Sequence, residues 1–419
     1  MAKDSFWAVF GNGLGNFFLL LAGIGIARLL GKDLYGEYGV VKTTMFYMAA
    51  VATFGGHYTS TKYVADYLKR DSSKVKAIVY AALKITIYAG FILFILLLAL
   101  AEPLSVFLKE PRLAIPFRFL GIIILVRGIA TTEGGVLGGF KAYKELGINN
   151  ILAGTILLVL GIVLTRFWGL TGSLIALLIS QIVLLGLNSR IVYRLIKPLP
   201  NDNDNYVKEI AKFSFPVVLQ ELTYSFCNWG STIIIARFAS MGELGIYTAA
   251  AQWNAIVAFF PGLLTNVVLS YLSDSEDKNT HNRTMKRMIL INLVSTLIPF
   301  LIICALSDFI VSFYGNSFDG LQIVLNVIVF SSIISAVSTV LQSNLLSEGK
   351  NWRLFIARLV RDFMNVAILY FFLCQNNDNA ALKMAIIGLC IGACYLILLF
   401  LMSGVDSLTT NNKVIIKPE

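Results

Sequence analysis

The sequence predicts an all-α membrane protein of about twelve transmembrane helices, in two parallel-repeat six-helix bundles with both termini in the cytoplasm. Three observations carry that prediction: the composition, the distribution of Lys and Arg among the connections, and a repeat at one constant offset. Of 419 residues, 57% are hydrophobic and 14% charged, against about 45–50% and about 25% in soluble domains. A mean hydropathy of +0.76 agrees. Twelve spans of roughly 20 residues would use most of such a chain. These values exclude a soluble two-domain enzyme, a disordered protein and a disulfide scaffold. The apolar runs are continuous rather than alternating, which argues against a β-barrel.

The first span, 6–28, is longer than a signal-peptide core and meets Arg28 without a small-residue cleavage site. Spans 42–64, 78–101 and 117–139 follow, then 146–166 and 169–190 with almost no connection between them. The second half repeats the plan with 213–236, 245–272, 288–307, 320–346, 355–375 and 380–404. Gly and Pro inside these runs do not break the assignment, because membrane helices tolerate them at bends. The longest hydrophilic stretches, 191–212 and 273–287, are too short to fold separately. The domains read as a bundle at 1–194, a cytoplasmic linker at 195–212, a second bundle at 213–404 and a cytoplasmic tail at 405–419.

With the N-terminus inside, 21 of the 34 Lys and Arg fall on the cytoplasmic side, 9 opposite and 4 within spans. Basic residues collect in cytoplasmic loops, so this split supports both the orientation and an even number of spans. It also accounts for the formal charge of +10 without a nucleic-acid partner. The five cysteines lie in apolar runs and read as small buried hydrophobes, with no metal-ligand spacing.

An offset of 209 residues places Ala27-Arg28 on Ala236-Arg237, Gly36 on Gly245, Tyr38 on Tyr247, Lys141 on Lys350 and Ala176 on Ala385. Six spans per half is an even number, so the halves share one orientation. Parallel repeats about an axis along the membrane normal are a transporter arrangement, with substrate held between the halves near the midplane.

Ionisable groups inside spans must face a partner or a cavity, since each costs about 2.5–3.5 kcal/mol at helix centre on insertion scales. Span eleven must begin near Phe355 to be long enough, which brings in Arg358, Arg361, Asp362 and Asn365. Their i, i+3, i+4, i+7 spacing forms one polar stripe. That stripe either faces a cavity or holds an Arg358–Asp362 ion pair while Arg361 reaches for the cytoplasm. Span four carries Arg127 and Glu133, six residues apart and so not a same-face pair. Span seven carries Glu221. Arg28 and Arg237 sit at outer span ends, where interfacial anchoring competes with a cavity role. His57 reads as a hydrogen-bonded core histidine.

No phosphate-binding loop, zinc-protease motif or Cys/His cluster occurs, and no loop is long enough for a glycosyltransferase site. The expectation is a transporter without catalytic residues, metal or cofactor.

Three stretches then carry a resemblance: Gly11-Asn12-Gly13-Leu14-Gly15-Asn16 with Ala27-Arg28-Leu29-Leu30-Gly31 and Tyr35-Gly36-Glu37-Tyr38; Thr61-Lys62-Tyr63-Val64-Ala65; and Leu137-Gly138-Gly139-Phe140-Lys141-Ala142-Tyr143. With the twelve-span plan, the chain resembles the bacterial lipid-linked oligosaccharide flippases, the O-antigen (Wzx-type) family, in one superfamily with multidrug/toxin extrusion antiporters and lipid II flippases. The resemblance implies an inner-membrane protein of lipopolysaccharide biosynthesis that moves an undecaprenyl-pyrophosphate-linked oligosaccharide to the periplasmic leaflet. Its partners would be that substrate, membrane lipids and, as candidates, a glycan polymerase and a chain-length regulator. Diphosphate recognition suits arginine's planar fork, so Arg28, Arg127, Arg237, Arg358 and Arg361 are the candidate contacts. Glu133, Glu221 and Asp362 are candidate coupling acids. A multidrug antiporter would share the fold but often places an acid in span one, which here has none; Asp4 lies outside it. A polytopic glycan polymerase would need a large periplasmic loop.

Overall fold

Two glycines in conformations that L-residues avoid cut the longest helices into pairs of spans. α1 (Ala2–Ala52) is broken at Gly31 (φ 72°, ψ 170°) and α5 (Tyr143–Ile196) at Gly169 (φ 56°, ψ −133°). Only glycine enters these regions cheaply, so each break is a tight reversal without a loop. The computed structural model describes residues 2–200, 204, 206–259, 261–262 and 278–409. Between the two long helices lie α2 (Gly56–Arg70), α3 (Val75–Phe107) and α4 (Ala114–Gly139). After them come α6 (Val207–Phe238), α7 (Met241–Val257), α8 (Lys278–Ala305), the short α9 (Ser307–Ser312), α10 (Leu321–Ser347), α11 (Asn351–Gln375) and α12 (Ala380–Thr409).

Seven helical stretches among the described residues are long and apolar enough to cross a membrane, and the two broken ones are each long enough to cross twice. α6 and α11 are long enough too, at 32 and 25 residues, but α6 carries Glu221 and α11 the polar stripe noted above. Span two differs from the sequence reading. Its helix resumes directly after Gly31, then bends at Phe54 and Gly55, both left-handed, before continuing as α2. The end of span eight, parts of the 195–212 linker, residues 273–277 and the tail from 410 lie outside the described residues.

Polarity is arranged inside out. Thr86, Thr132, Asn188 and Ser225 are almost fully buried, whereas Ile92 and Phe371 are 65% and 59% exposed. Bilayer hydrocarbon is as apolar as leucine, so outward apolar side chains cost nothing there and polar ones retreat to helix interfaces. The cysteines follow suit. Cys227 is buried, but Cys374, Cys390 and Cys394 are exposed on the apolar surface, which corrects the expectation that all are core.

In the first half α1 packs on α5 and α4, and α3 on α4; in the second α10 packs on α12, α8 and α7, and α11 on α6. The halves meet where α1 crosses α6 and α7 and where α3 touches α6. The largest buried cluster runs through that seam and includes Tyr35, Tyr38, Tyr314 and Phe318.

Candidate functional site

Two polar cavities lie within the helices, one in each half. The first, about 400 Å³, lies among α1, α2, α4 and α5. Arg127 of α4 reaches into it. Its Nη1 donates to Gln181 Oε1 at 2.9 Å, and its guanidinium stacks 5.3 Å over Phe46. The amide of Asn150 donates to Asn12 Oδ1 at 2.7 Å, and His57 Nδ1 stands 3.0 Å from the Thr131 carbonyl, as a hydrogen-bonded histidine should. One arginine, one histidine and several amides line this cavity, and no carboxylate does. Glu133, one and a half turns further along α4, turns away from it. Its Oε1 accepts from Ser189 Oγ at 2.7 Å, and its buried Oε2 has no hydrogen-bond partner among the described residues.

The second cavity, about 290 Å³, is built from α6, α10 and α11. The stripe on α11 faces it through Arg358, Arg361 and Asp362, together with Glu221 of α6. Arg358 Nε donates to Gln342 Oε1 at 2.9 Å. Arg361 grips Asp362 Oδ1 with Nε at 2.8 Å and Nη2 at 2.7 Å, and lies 4.7 Å over the ring of Tyr395. This corrects the Arg358–Asp362 pairing weighed from spacing. The partner of Asp362 is its neighbour Arg361, which lines the cavity instead of reaching for the membrane surface. Here two cations stand beside two carboxylates.

The cavities are repeat mates. The 209-residue offset carries the lining residues Asn12, Gly15, Leu146, Asn150 and Ala153 of the first onto Glu221, Tyr224, Phe355, Leu359 and Asp362 of the second. A neutral amide in one half is thus a carboxylate in the other. Tyr58 of α2, 60% exposed, lies within electrostatic reach of Glu221 and Arg358, and Tyr47 meets Tyr224 edge-on at 6.1 Å. The second cavity therefore looks across the seam at span two. Lys42 on that span lies in the field of Arg127, adding a second cation on the first half's side.

Contacts between the halves bridge the seam toward each of its ends. At the end that the Lys and Arg distribution predicts to be outer, Tyr35 stacks on Tyr38 and Phe318 packs edge-on against Tyr35. Within the second half, Trp253 Nε1 donates to Tyr314 Oη at 2.8 Å, and the Gln252 amide donates to that same oxygen. At the opposite end, predicted to be inner, Thr59 and Ser214 hydroxyls hydrogen-bond at 2.7 Å and Tyr63 packs on Phe213.

Of the residues singled out by sequence, Glu221, Arg358, Arg361 and Asp362 come together, and Arg127 stands in the other cavity. Arg28 is exposed at the outer end of span one, while Arg237 stacks on Phe107 and Phe238 at 5.5 and 5.8 Å. Neither lines either of these two cavities. The amides Gln181 and Gln342, which hold Arg127 and Arg358, and Asn150, which bonds Asn12, escaped the sequence reading because an uncharged polar residue in a span gives little signal. No group of three or more His, Cys, Asp or Glu able to hold a metal occurs among the described residues.

A family model described as polysaccharide biosynthesis protein matches residues 1–276. No curated protein sequence matches the chain. Among solved structures, an inward-facing multidrug resistance MATE family transporter of the MOP superfamily superposes with a TM-score of 0.78 at 13% identity, covering 95% of this chain and 96% of that one. The lipid II flippase MurJ, in an inward closed conformation, gives 0.73 at 16% identity over 99% and 94%. A MOP superfamily transporter from Pyrococcus furiosus Vc1, whose reverse polarity of binding pocket suggests a different function, gives 0.70 at 14% over 98% and 96%. At these identities the likeness is one of fold alone.

Proposed function

The chain belongs to the polysaccharide biosynthesis protein family, and from that premise we propose that it is a flippase for an undecaprenyl-pyrophosphate-linked oligosaccharide, such as an O-antigen repeat unit. It would carry this lipid from the cytoplasmic to the periplasmic leaflet of a bacterial inner membrane. A sugar bearing a diphosphate cannot cross hydrocarbon without shedding its hydration, at prohibitive cost. A polar chamber between two bundles replaces that hydration while the polyprenyl tail stays in lipid. Rocking of the halves 1–194 and 213–404 about the seam, joined by the 195–212 linker, then exposes the chamber to alternate sides.

The observation that carries the proposal is the charge of the first cavity: Arg127, and no lining carboxylate to neutralise it. An anion entering there meets a planar fork held ready by Gln181 and amides suited to sugar hydroxyls. Arg358 and Arg361 supply the contacts on the facing half. Arg28 and Arg237, at the outer ends, would act after the halves reopen, when the headgroup leaves. Glu221 is the favoured coupling acid, since it shares its cavity with Arg358 while Asp362 is already tied to Arg361; Glu133, with one oxygen unpartnered, is the second candidate. A glycan polymerase and a chain-length regulator would take the product on the far side.

The reading is tested in a strain lacking the protein. Undecaprenyl-linked repeat units should accumulate facing the cytoplasm, and surface glycan should vanish. A strain that keeps its surface glycan but becomes drug-sensitive would overturn the proposal in favour of a multidrug antiporter. The carboxylate-free lining of the first cavity, with Arg127 in it, suits an anion there better than an organic cation.

A further inference from the structure

A third cavity is larger than either of the two above. It measures about 980 Å³ and lies between the two ends of α5, where the helices on either side of Gly169 return to the same membrane face. It shares no lining residue with the cavity holding Arg127. Its rim carries Lys144, Arg190, Arg194 and Lys197, all exposed, against the single acid Glu145. Glu145 offsets little of this charge, standing 3.9 Å from Arg194. Arg190 has no ion-pair or hydrogen-bond partner among the described residues. The floor is apolar, from Ile148, Leu187 and Ile191. Two aromatic rings flank the rim: Lys144 lies 5.8 Å over Trp7, and Lys197 lies 5.9 Å over Tyr193.

We propose that this groove binds the phosphodiester headgroup of an anionic phospholipid of the cytoplasmic leaflet. Four cations with one counter-charge at a helix-hairpin end need an anion. The face on which they lie is the one where the chain concentrates Lys and Arg, and anionic lipids are what that leaflet offers. Tryptophan and tyrosine beside the rim mark headgroup depth. The apolar floor continues the lipid-facing surface, so acyl chains lie along Ile148 and Leu187 while the phosphate meets the cations. α5 packs on α1 and α4 and makes none of the major contacts that join the halves, so the site stays open whichever way the seam is open. That persistence distinguishes it from the substrate path. The inference does not depend on the transport reading.

Native mass spectrometry of the full-length protein, titrated with dioleoyl phosphatidylglycerol and with dioleoyl phosphatidylcholine, tests the site. Phosphatidylglycerol should bind preferentially. Each cation removed in the series R190A, R194A and K197A should weaken that preference about fivefold, and the charge-keeping R190K should restore most of the loss. Melting temperatures matched to wild type separate lost binding from lost folding. Unchanged selectivity in the triple variant would overturn the proposal. So would an equal loss on removing Lys69, Arg70 and Lys76, which would make the effect diffuse surface charge. Displacement of bound phosphatidylglycerol by equimolar undecaprenyl pyrophosphate would reassign the groove to the transported lipid and likewise overturn it.

Discussion

Gly36 and Gly245, 209 residues apart in sequence, sit against each other where span two crosses span eight: a Cβ placed on Gly245 would lie 3.1 Å from the backbone nitrogen of Gly36. The same Cβ would fall 2.0 Å from the Lys32 carbonyl oxygen, and one on Gly36 would fall 1.8 Å from that of Met241. Lys32 and Met241 are themselves related by the 209-residue offset, so the two contacts are one contact seen from its two halves. One turn on, Gly39 meets its own repeat mate Thr248. A two-fold axis therefore passes through this crossing, and the repeat inferred from scattered identities has a physical seat.

Because the obstacle is backbone, neither helix can yield by turning a side chain. Gly36→Ala and Gly245→Ala should each lower stability by about 1–3 kcal/mol, as overpacking does. Gly186 has nothing within 4 Å of its would-be Cβ, so Gly186→Ala should stay within about 0.5 kcal/mol of wild type. Thermal melting of the detergent-solubilised protein reads all three. Gly36→Ala melting with wild type would mean that the crossing is not this close.

Arg127 is the cation that no lining carboxylate offsets. Its removal should cost transport and spare folding, since the cavity around it is already polar. Arg127→Ala should reduce surface glycan at least roughly tenfold, the worth of a charged hydrogen bond, with membrane levels unchanged. Arg127→Lys keeps the charge but loses the fork and should fall between. Gln181→Leu, which leaves the guanidinium without its positioning acceptor, should also be intermediate. Full export by the alanine variant would remove Arg127 from the substrate path.

Arg361 and Asp362 need a different test, because they hold each other. The Asp362 side chain is only 11% exposed, so Arg361→Ala leaves a nearly buried carboxylate unpaired and should destabilise strongly. Removing both should recover part of that, with a coupling of about 0.5–3 kcal/mol. Transport separates the roles. If the pair only joins structure, the double variant exports; if Arg361 also touches the headgroup, stability returns and export does not.

The spans were legible because hydropathy reports burial in lipid directly, and the stripe on α11 was legible because Arg358, Arg361 and Asp362 fall within about one turn of each other inside a span. Partners were not. Spacing favoured Arg358 for Asp362, since i, i+4 neighbours share a face; yet Arg358 is drawn across to Gln342 on another helix, which frees Asp362 for the adjacent Arg361. Likewise Arg127 and Glu133 do not pair, as their six-residue spacing requires, and their partners, Gln181 and Ser189, belong to the returning half of α5. Only the Gly169 reversal brings those residues alongside α4. Helical period is a local property, and the choice among acceptors on different helices is a tertiary one.

Alternating access requires the inner contact to part. Thr59 and Ser214 join the halves there, buried and with their hydroxyls 2.7 Å apart. In a background without the five native cysteines, Thr59→Cys with Ser214→Cys places two thiols at side-chain contact, and oxidation should close a bond of about 2.05 Å. A covalent tie of that length holds the inner end shut, so translocation in reconstituted vesicles should stop on oxidation and return with reductant. The single variants should transport in both conditions, which controls for the substitutions themselves. If the oxidised double variant moves its lipid at the reduced rate, the inner end never opens, and rocking about the glycine crossing is not how this protein works.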